Sequence, residues 1–397
     1  MIEAVSASSE VKSRGSALPM SNQHPSNNFD FVRLFAAALV LYSHQFPLSG
    51  RVEPRLFDLL HVGTFGVLIF FSVSGYLVMQ SWDRDPHLLR FVAKRFMRIW
   101  PGLMVVTGVA ALIVGPIVTT VPLGEYFHSP VTRDYFSMLY LNIKFLLPGV
   151  FEQNPWPIVN GALWTIPIEV HWYGFLLIAG VCGLLRNRTR HWLLAGVLVY
   201  AIYVYLVFDV QHNPKAAFPL PAYGAEYGTY FSAGVALYFF RDSWRRFPFR
   251  LLGPLAVCSA ALAWLGYGYA AFYVVLPLLV IWFGTASTPV VRRFGRFGDF
   301  SYGIYIYAFM TQQLLLSITG THHPFWPGLL ASAVGALVFA ILSWHLVERP
   351  ALSLKRRLPG AGTDTSIEPA QAGVAHPLLL PEYLAGEVSP AADERHS

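Results

Sequence analysis

The sequence has few charged residues. Asp, Glu, Lys and Arg make up only 13% of the 397 residues, whereas 55% are hydrophobic, and a soluble globular protein carries about 25% charged residues. This shortage excludes an ordinary soluble enzyme and indicates a polytopic membrane protein. The net charge of +6 does not indicate nucleic-acid binding, because the basic residues are dispersed in short segments between apolar runs.

Cysteine is also scarce, and the motifs of several enzyme classes are absent. Cys182 and Cys258 lie in apolar runs and show neither a disulfide pattern nor metal-ligand spacing. The sequence contains no G-x-S-x-G, P-loop, H-E-x-x-H or C-x-x-C motif. We therefore expect no metal centre and no permanently bound cofactor.

Apolar runs of helical length predict an all-α membrane protein. Most runs are close to the roughly 20 residues that cross a bilayer, and the run 251–286 is divided at the sequence LGYGY because it is too long for one span. We expect about ten transmembrane helices, at roughly 29–47, 62–81, 100–119, 162–185, 191–208, 224–240, two within 251–286, 300–318 and 325–347.

The two ends of the chain differ from this helical region in composition. Residues 1–28 are rich in Ser, Asn and Gln and lack the layout of a signal peptide, and residues 356–397 are rich in Pro, Ala, Gly and Glu. Such segments bury too little apolar surface to fold, so we expect both to be disordered. The membrane domain is predicted to span residues 29–355, with its first helix retained as a signal anchor.

Loop charges predict the orientation. With the N-terminus in the cytoplasm, the inner segments contain 21 Lys and Arg residues and the outer segments contain five, which is a clear positive-inside bias. Both termini are then cytoplasmic. A membrane span over 134–150 would move every later basic loop outside, so we predict that this stretch is interfacial or re-entrant on the outer side.

The first predicted helix contains two ionisable residues, Arg33 and His44. His44 follows Arg33 by eleven helical positions, which corresponds to about 20° of rotation and about 16 Å of rise, so both side chains lie on one face. Ionisable groups inside a span are costly and usually face the protein interior or a wet cavity. This helix is therefore predicted to form one wall of a site that reaches from near one membrane surface towards the other.

Both residues have a structural and a functional interpretation. His44 is either an interface histidine bonded to a backbone carbonyl or a general base that takes a proton from a hydroxyl, and the arginine on the same face favours the second. Arg33 either pairs with Asp30, three residues before it, or recognises a phosphate or carbonyl oxygen through its planar donor group. The sequence leaves the interpretation of Arg33 open.

The fourth predicted helix carries a carboxylate, Glu169, about two turns from its outer end. A buried carboxylate is rare in a span and marks a functional site by default, although a pair with His171 or a helix cap is the structural alternative. Because His44 and Glu169 both fall in the outer halves of their helices, we expect them to meet. The carboxylate would then fix the imidazole tautomer and stabilise its charged form.

A basic segment precedes the third predicted helix and places Lys94, Arg95 and Arg98 at the inner mouth. Most such residues only follow the rule that cytoplasmic segments are positive, but this cluster also suits an anionic cofactor. In the second helix, small residues such as Ser74 and Gly75 allow close helix packing, and Ser74 is in addition a candidate for lining the site.

Six segments follow one another along the predicted helices: R-x10-H at 33–44, FFSVSGY at 70–76, KRFMRIWP at 94–101, LWTIPIEVHWY at 163–173, FGDFSYGIYIYAF at 297–309 and VERP at 347–350. In this order they resemble the acyltransferase-3 family of bacterial integral-membrane enzymes, over roughly residues 28–355. Many relatives carry a histidine late in the SYGIY segment. This chain has Tyr307 and Ala308 there, so that position cannot contribute an imidazole.

The resemblance implies a reaction and its partners. Such enzymes transfer an acyl group, often acetyl from acetyl-CoA, to a hydroxyl of O-antigens, exopolysaccharides, Nod factors, periplasmic glucans or macrolides. We therefore expect an O-acyltransferase of the bacterial inner membrane whose partners are membrane lipid, acyl-CoA and a carbohydrate or other polyhydroxyl acceptor. The acceptor, the acyl chain and the oligomeric state stay open, and a homo-oligomer is compatible with the sequence.

In this interpretation His44 is the general base, with transient acyl carriage as the alternative, and Glu169 is its partner. The acyl-CoA donor is expected to come from the cytoplasm and to be held by Arg33, Ser74, Lys94, Arg95 and Arg98. The main alternative is a transporter or flippase, because intramembrane Arg, His and Glu also form proton relays; the sequence shows no inverted repeat of broken helices. A membrane sensor or scaffold without catalysis is the third possibility.

Overall fold

A computed structural model describes residues 27–186, 188–207, 220–246, 248–320 and 324–357. Most of this part of the chain is helical, and its one sheet is an antiparallel hairpin of two short strands, β1 (Arg55–Leu56) and β2 (Leu60–His61). The helical architecture is therefore confirmed. The disorder predicted for the two ends of the chain concerns residues that lie almost entirely outside the described ones.

Ten helices of at least 17 residues follow one another in the described part of the chain. They are α1 (Phe29–Leu48), α2 (Val62–Arg84), α3 (Leu88–Val109), α4 (Thr165–Val181), α5 (Arg190–Val207), α6 (Leu220–Phe239), α7 (Pro248–Trp264), α8 (Gly268–Thr285), α9 (Ser301–Thr319) and α10 (Phe325–Ser343).

Two of these helices continue through π-helical turns, and shorter elements connect the others. α3 continues through Ala110–Val114 and Gly115–Val118, and α10 continues through Trp344–Glu348 and Arg349–Ser353. The short helices are Leu123–His128, Pro130–Tyr135 and Arg241–Arg246, and the 3-10 helices are Phe136–Tyr140, Val291–Phe297 and Leu354–Arg357.

Several helices are suited to a lipid bilayer. Five are long and apolar enough to cross it, namely α1, α2, α3 with its continuation, α8, and α10 with its continuation. Three shorter apolar helices accompany them, at Thr165–Val181, His191–Leu206 and Leu252–Trp264. A helix thus lies at each of the ten predicted positions, and the predicted break between α7 and α8 is present. The count of ten spans and the cytoplasmic termini stay predictions.

The third helix begins earlier than the sequence predicts. A basic loop is expected before residue 100, but α3 begins at Leu88. Lys and Arg are good helix formers, and the carboxylate of Asp85 binds Arg90 and Lys94, each at 2.6 Å. An acidic group at this position also suits the positive end of the helix dipole. The basic side chains therefore project from a helix and not from a loop.

The long connection between α3 and α4 contains no long helix in the structure. This agrees with the prediction that 134–150 does not form a span of its own. Side-chain hydrogen bonds fasten the connection to the bundle: Trp100 Nε1 donates to the carbonyl of Leu139 at 3.0 Å, and Asn160 Nδ2 donates to the carbonyl of Ile306 at 2.8 Å. The chain therefore enters the bundle before α4 begins.

The pairing of α1 with α2 sets the depth of the side chains between them. At the start of α2, the backbone N–H of Gly63 donates to Ser43 Oγ, near the end of α1, at 2.7 Å. Further along α2, the ring of Tyr76 lies 5.5 Å from that of Phe29 at the start of α1. The two helices are therefore antiparallel, and the second half of α2 lies beside the first turns of α1.

Small residues bring α2 and α6 into close contact. A Cβ atom at Gly75 would lie 2.0 Å from the carbonyl oxygen of Phe231, and one at Gly234 would lie 2.2 Å from that of Ser72. Neither position tolerates a side chain without moving a backbone. The packing role predicted for the small residues of α2 is therefore confirmed.

Two exposed valines provide a test of the predicted orientation. Val52, in the connection predicted to lie outside, is 90% exposed, and Val290, in a connection predicted to be cytoplasmic, is 73% exposed. In a variant with Cys182 and Cys258 replaced by alanine, we expect Val52→Cys to react with a membrane-impermeant maleimide in intact cells. Val290→Cys should react only after permeabilisation. Labelling of Val290→Cys in intact cells would contradict the ten-helix topology.

Candidate active site

A cavity of about 350 Å³ lies among α2, α3, α4 and α9, with apolar walls that come mainly from α2. Ionisable and hydroxyl side chains complete the lining; they include Arg33, Ser74, Arg95, Arg98, Glu169, Tyr173, Asp299 and Lys355. The cavity thus brings together five residues predicted from the sequence: Arg33, Ser74, Arg95, Arg98 and Glu169.

Asp299 joins the helices at one end of this cavity. It lies just before α9, and its Oδ2 binds Arg98 at 2.6 Å and Arg33 at 3.2 Å, while Ser301 donates to Oδ1. Burial raises the pKa of Asp299, but the guanidinium groups of Arg33 and Arg98 outweigh it and hold the pKa well below the usual range. Arg33 also pairs with Asp30, as the structural interpretation of the sequence predicted. The same side chain lines the cavity.

Glu169 belongs to a hydrogen-bonded group of three side chains. Its carboxylate accepts hydrogen bonds from Ser74 Oγ at 2.9 Å and from the hydroxyl of Tyr173, and the two hydroxyl oxygens lie 3.0 Å apart. His171, the partner that the sequence suggested as an alternative, is exposed. Glu169 therefore holds two hydroxyl groups at the cavity wall.

Arg95 and Lys355 give the cavity its unbalanced positive charge. Arg95 donates to Ser81 Oγ at 3.3 Å and lies over the ring of Tyr173, and its buried Nε has no hydrogen-bond partner among the described residues. Within the described ranges, neither cation has a carboxylate at ion-pair distance. Burial, followed by the charges of Arg95 and Arg98, lowers the pKa of Lys355 to about 7. These two side chains are therefore available to an anionic ligand.

His44 lies at the other end of α1. Its ring packs edge-on against Phe309 of α9, with centroids 5.1 Å apart. The Nδ1 atom is buried and has no hydrogen-bond partner among the residues that the structure describes. His44 does not line the cavity, so the imidazole and the charged groups occupy separate regions of the bundle.

The predicted contact between His44 and Glu169 is wrong. Glu169 bonds to Ser74, in the half of α2 that lies beside the first turns of α1, whereas His44 lies in the last turns of α1. The reason is the depth at which α4 begins: its first residue, Thr165, bonds to the hydroxyl of Tyr305 at 2.6 Å, one turn into α9. The connection before α4 has already carried the chain into the bundle, so Glu169 lies deeper than its position in the sequence suggests.

Other residues also differ from the prediction. Lys94 does not line the cavity, because it is bound to Asp85 at 2.6 Å. Sequence reasoning missed Asp299 and Tyr173 as site residues, although both lie inside segments that carry the family resemblance. It also missed Lys355, which counted only as a cytoplasmic basic residue. No local pattern identified Lys355, because only the packing of the segment after α10 brings it to the cavity.

Comparison with known proteins agrees with these observations. The profile of one family, described as an acyltransferase domain, matches residues 26–345. The chain belongs to the acyltransferase-3 family. It is 32% identical over 333 residues to an O-acetyl transferase of Shigella phage Sf6, across 82% of this chain and 96% of the relative.

A second relative of this acyltransferase-3 protein comes from a bacterium. Nodulation protein 10 of Rhizobium leguminosarum bv. viciae is 32% identical over 383 residues, across 85% of this chain and 97% of the relative. No solved structure gives a significant match. Family membership identifies an enzyme that transfers acyl groups, embedded in a membrane through its apolar helices. This favours the enzyme over the transporter and the scaffold.

The separation of His44 from Glu169 predicts how their substitutions combine. Because the two side chains do not touch, the losses in kcat/KM for acyl transfer caused by His44→Ala and Glu169→Gln should multiply, within about 0.5 kcal/mol. Glu169→Gln and Tyr173→Phe both affect the hydrogen bond between these two side chains, so their losses in kcat/KM should not multiply. The measurement requires equal amounts of folded protein in the membrane. If the double variant has the same kcat/KM as the poorer single variant, His44 and Glu169 act as one unit and the two sites are not independent.

Proposed function

We propose that this acyltransferase moves an acyl group from acyl-CoA to a hydroxyl of a carbohydrate or another polyhydroxyl acceptor, in the inner membrane of a bacterium. The observation that carries the proposal is the charge of the cavity, where four cationic side chains meet two carboxylates. Such an excess suits an anionic donor. Acetyl is the favoured acyl group because one relative is an O-acetyl transferase.

The cavity chemistry fits the two parts of such a donor. Guanidinium and ammonium groups bind phosphate through charge-assisted hydrogen bonds, and Arg95 and Lys355 have no carboxylate partner among the described residues. The apolar side chains of α2 suit an uncharged arm. With about 350 Å³, the cavity is at the small end of the range of roughly 300–1,000 Å³ for ligand pockets, so it suits part of the donor.

The distance between the charged groups and His44 suits a long donor. The rise of α1 from Arg33 to His44 is about 16 Å. A molecule with an anionic head and a narrow arm would place its phosphates beside Arg95 and Lys355 and its thioester near His44. Arg33, held by Asp30 and Asp299, would stand at the cavity wall between the two regions.

The chemical step then follows from an imidazole beside a hydroxyl. His44 takes the proton of the acceptor hydroxyl, and the oxygen attacks the carbonyl carbon of the thioester. The carbon–sulfur bond breaks, an ester forms, and the thiolate of CoA leaves and takes up a proton. A base of this kind contributes roughly 10²–10⁴-fold to a rate.

Radiolabelled acetyl-CoA and purified protein in lipid vesicles test the function. With a mixture of bacterial glycans as acceptor, we expect alkali-labile label on the carbohydrate, identified by mass spectrometry. His44→Ala should lower the rate by about 10²–10⁴-fold, whereas His171→Ala, which changes an exposed histidine on α4, should leave it unchanged. Absence of any acyl ester with the parent protein, across donors and polyhydroxyl acceptors, would contradict the proposal.

The pKa of Lys355 predicts a pH dependence of donor binding. Lys355 loses its charge as the pH rises through about 7, so the KM for acyl-CoA should rise by at most about tenfold between about pH 6 and about pH 8. An arginine stays charged over this range, so Lys355→Arg should make KM independent of pH. Lys94→Arg is the matched control, because Lys94 is bound to Asp85, and it should keep the parent profile. An unchanged profile in Lys355→Arg would exclude the role of Lys355.

A further inference from the structure

In the part of the chain that the structure describes, two polar atoms in the interface between α1 and α9 have no hydrogen-bond partner. They are His44 Nδ1 and Gln312 Oε1, and both are buried. An unpaired buried polar atom costs free energy, and such atoms are rare in native structures. These two atoms leave one hydrogen-bonding site open on each of the two facing helices.

Neighbouring contacts show that His44 and Gln312 lie close together. Each contacts residues of the other helix that are within one turn of its partner. The ring of His44 packs against Phe309, which is one turn before Gln312 on α9. Gln312 Nε2 in turn donates to the carbonyl of Leu41 and to Gln45 Oε1, each at 2.9 Å. On α1, Leu41 and Gln45 lie on either side of His44 in the sequence.

The amide of Gln312 has a fixed orientation. Its nitrogen faces two acceptors, and Gln45 is itself held because its Nε2 donates to Ser49 Oγ at 3.1 Å. A rotated amide would direct its oxygen at both acceptors and lose these bonds. Gln312 Oε1 is therefore held as an acceptor in a side chain that is only 1% exposed.

We propose that Gln312 is the positioning residue of His44. Its Oε1 accepts the Nδ1 proton of the imidazole, directly or through one water molecule, and leaves Nε2 as the nitrogen that takes the proton of the acceptor hydroxyl. The hydrogen bond at one ring nitrogen determines the tautomer and hence the chemistry of the other. The inference rests on the proposed role of His44. It assigns to Gln312 the orienting role that the sequence had suggested for Glu169.

Glu53 is the rival for this role, because it is a carboxylate beside the same end of α1. Ser43 donates to its Oε1, and the imidazole of His61 lies 3.4 Å from its Oε2. One carboxylate oxygen of Glu53 therefore accepts a hydrogen bond from Ser43, and the other lies within ion-pair distance of His61. Arg51 also contacts this end of α1, because its backbone N–H donates to the carbonyl of Phe46 at 2.8 Å and its guanidinium lies over the ring of Phe325 on α10. Phe309 and Gln312 face the same end from α9.

Two leucine variants separate positioning from structural support. Gln312→Leu removes the acceptor, and we expect kcat to fall by about tenfold to 100-fold while the KM for acyl-CoA stays unchanged. This loss is smaller than the roughly 10²–10⁴-fold expected for removal of the base itself. The matched control is Gln313→Leu, because Gln313 is also fully buried and binds the carbonyls of Trp156 and Ile158. This control should lower the melting temperature while kcat per folded enzyme stays at the parent value.

A carboxylate at the same position tests the hydrogen bond itself. Gln312→Glu keeps an acceptor and adds a negative charge, which stabilises the imidazolium. The acid limb of the pH–rate profile should therefore move to higher pH, and the rate on its plateau should exceed that of Gln312→Leu. Glu53→Gln should leave the limb in place. Parent-like kcat in Gln312→Leu, an unmoved limb in Gln312→Glu, or a shift caused by Glu53→Gln would each overturn the proposal.

A readout without turnover distinguishes this inference from the proposed function. The reaction of His44 with diethyl pyrocarbonate, followed by mass spectrometry against pH, reports how readily the imidazole is protonated. We expect its midpoint to rise in Gln312→Glu relative to the parent and to stay unchanged in Gln313→Leu. A shifted midpoint in an enzyme that transfers no acyl group would support the contact and reject the function. An unshifted midpoint in an active enzyme would reject the contact alone.

Discussion

A single, largely buried carboxylate, Asp299, allows two helices with positive charges to meet around the cavity. It binds Arg33 of α1 and Arg98 of α3 from a position just before α9. Charges inside a membrane protein are tolerated when they are paired or face a wet cavity, and removal of one partner of a buried pair is strongly destabilising because the other charge stays behind. The anion of Asp299 therefore balances part of the positive charge and leaves the rest, on Arg95 and Lys355, free to attract a ligand.

The charged groups and the imidazole occupy opposite ends of α1. This arrangement separates the recognition of an anionic ligand from proton transfer, since Arg33 lies about three turns from His44. Such a division suits a donor whose phosphates are far from its reactive carbon. It also changes the role of Glu169, which holds Ser74 and Tyr173 at the cavity wall and is not part of a catalytic dyad.

The connection between α3 and α4 is part of the reason for this arrangement. It contains no long helix, yet Asn160 binds the carbonyl of Ile306 inside the bundle. Asn154 likewise binds the side chain of Gln313 at 2.9 Å. The chain reaches the level of the cavity in an irregular conformation whose polar groups are satisfied by side chains, as buried backbone requires. α4 therefore begins deep in the bundle and delivers Glu169 to the charged end.

The sequence by itself determined the class of protein, the approximate position of each long helix, the shared face of Arg33 and His44, and five residues of the cavity wall. These features follow from local properties: apolar runs of helical length, the helical repeat, and the cost of a charge in a span. Only the tertiary structure decided which side chains meet. Contacts between segments far apart in the chain determine the depth of α4 and the position of Lys355 beside the cavity. They also determine the ion pairs of Asp299 with Arg33 and Arg98. The start of α3 at Leu88 was also missed, because the pairing of Asp85 with Arg90 and Lys94 extended the helix into a segment whose charge indicated a loop.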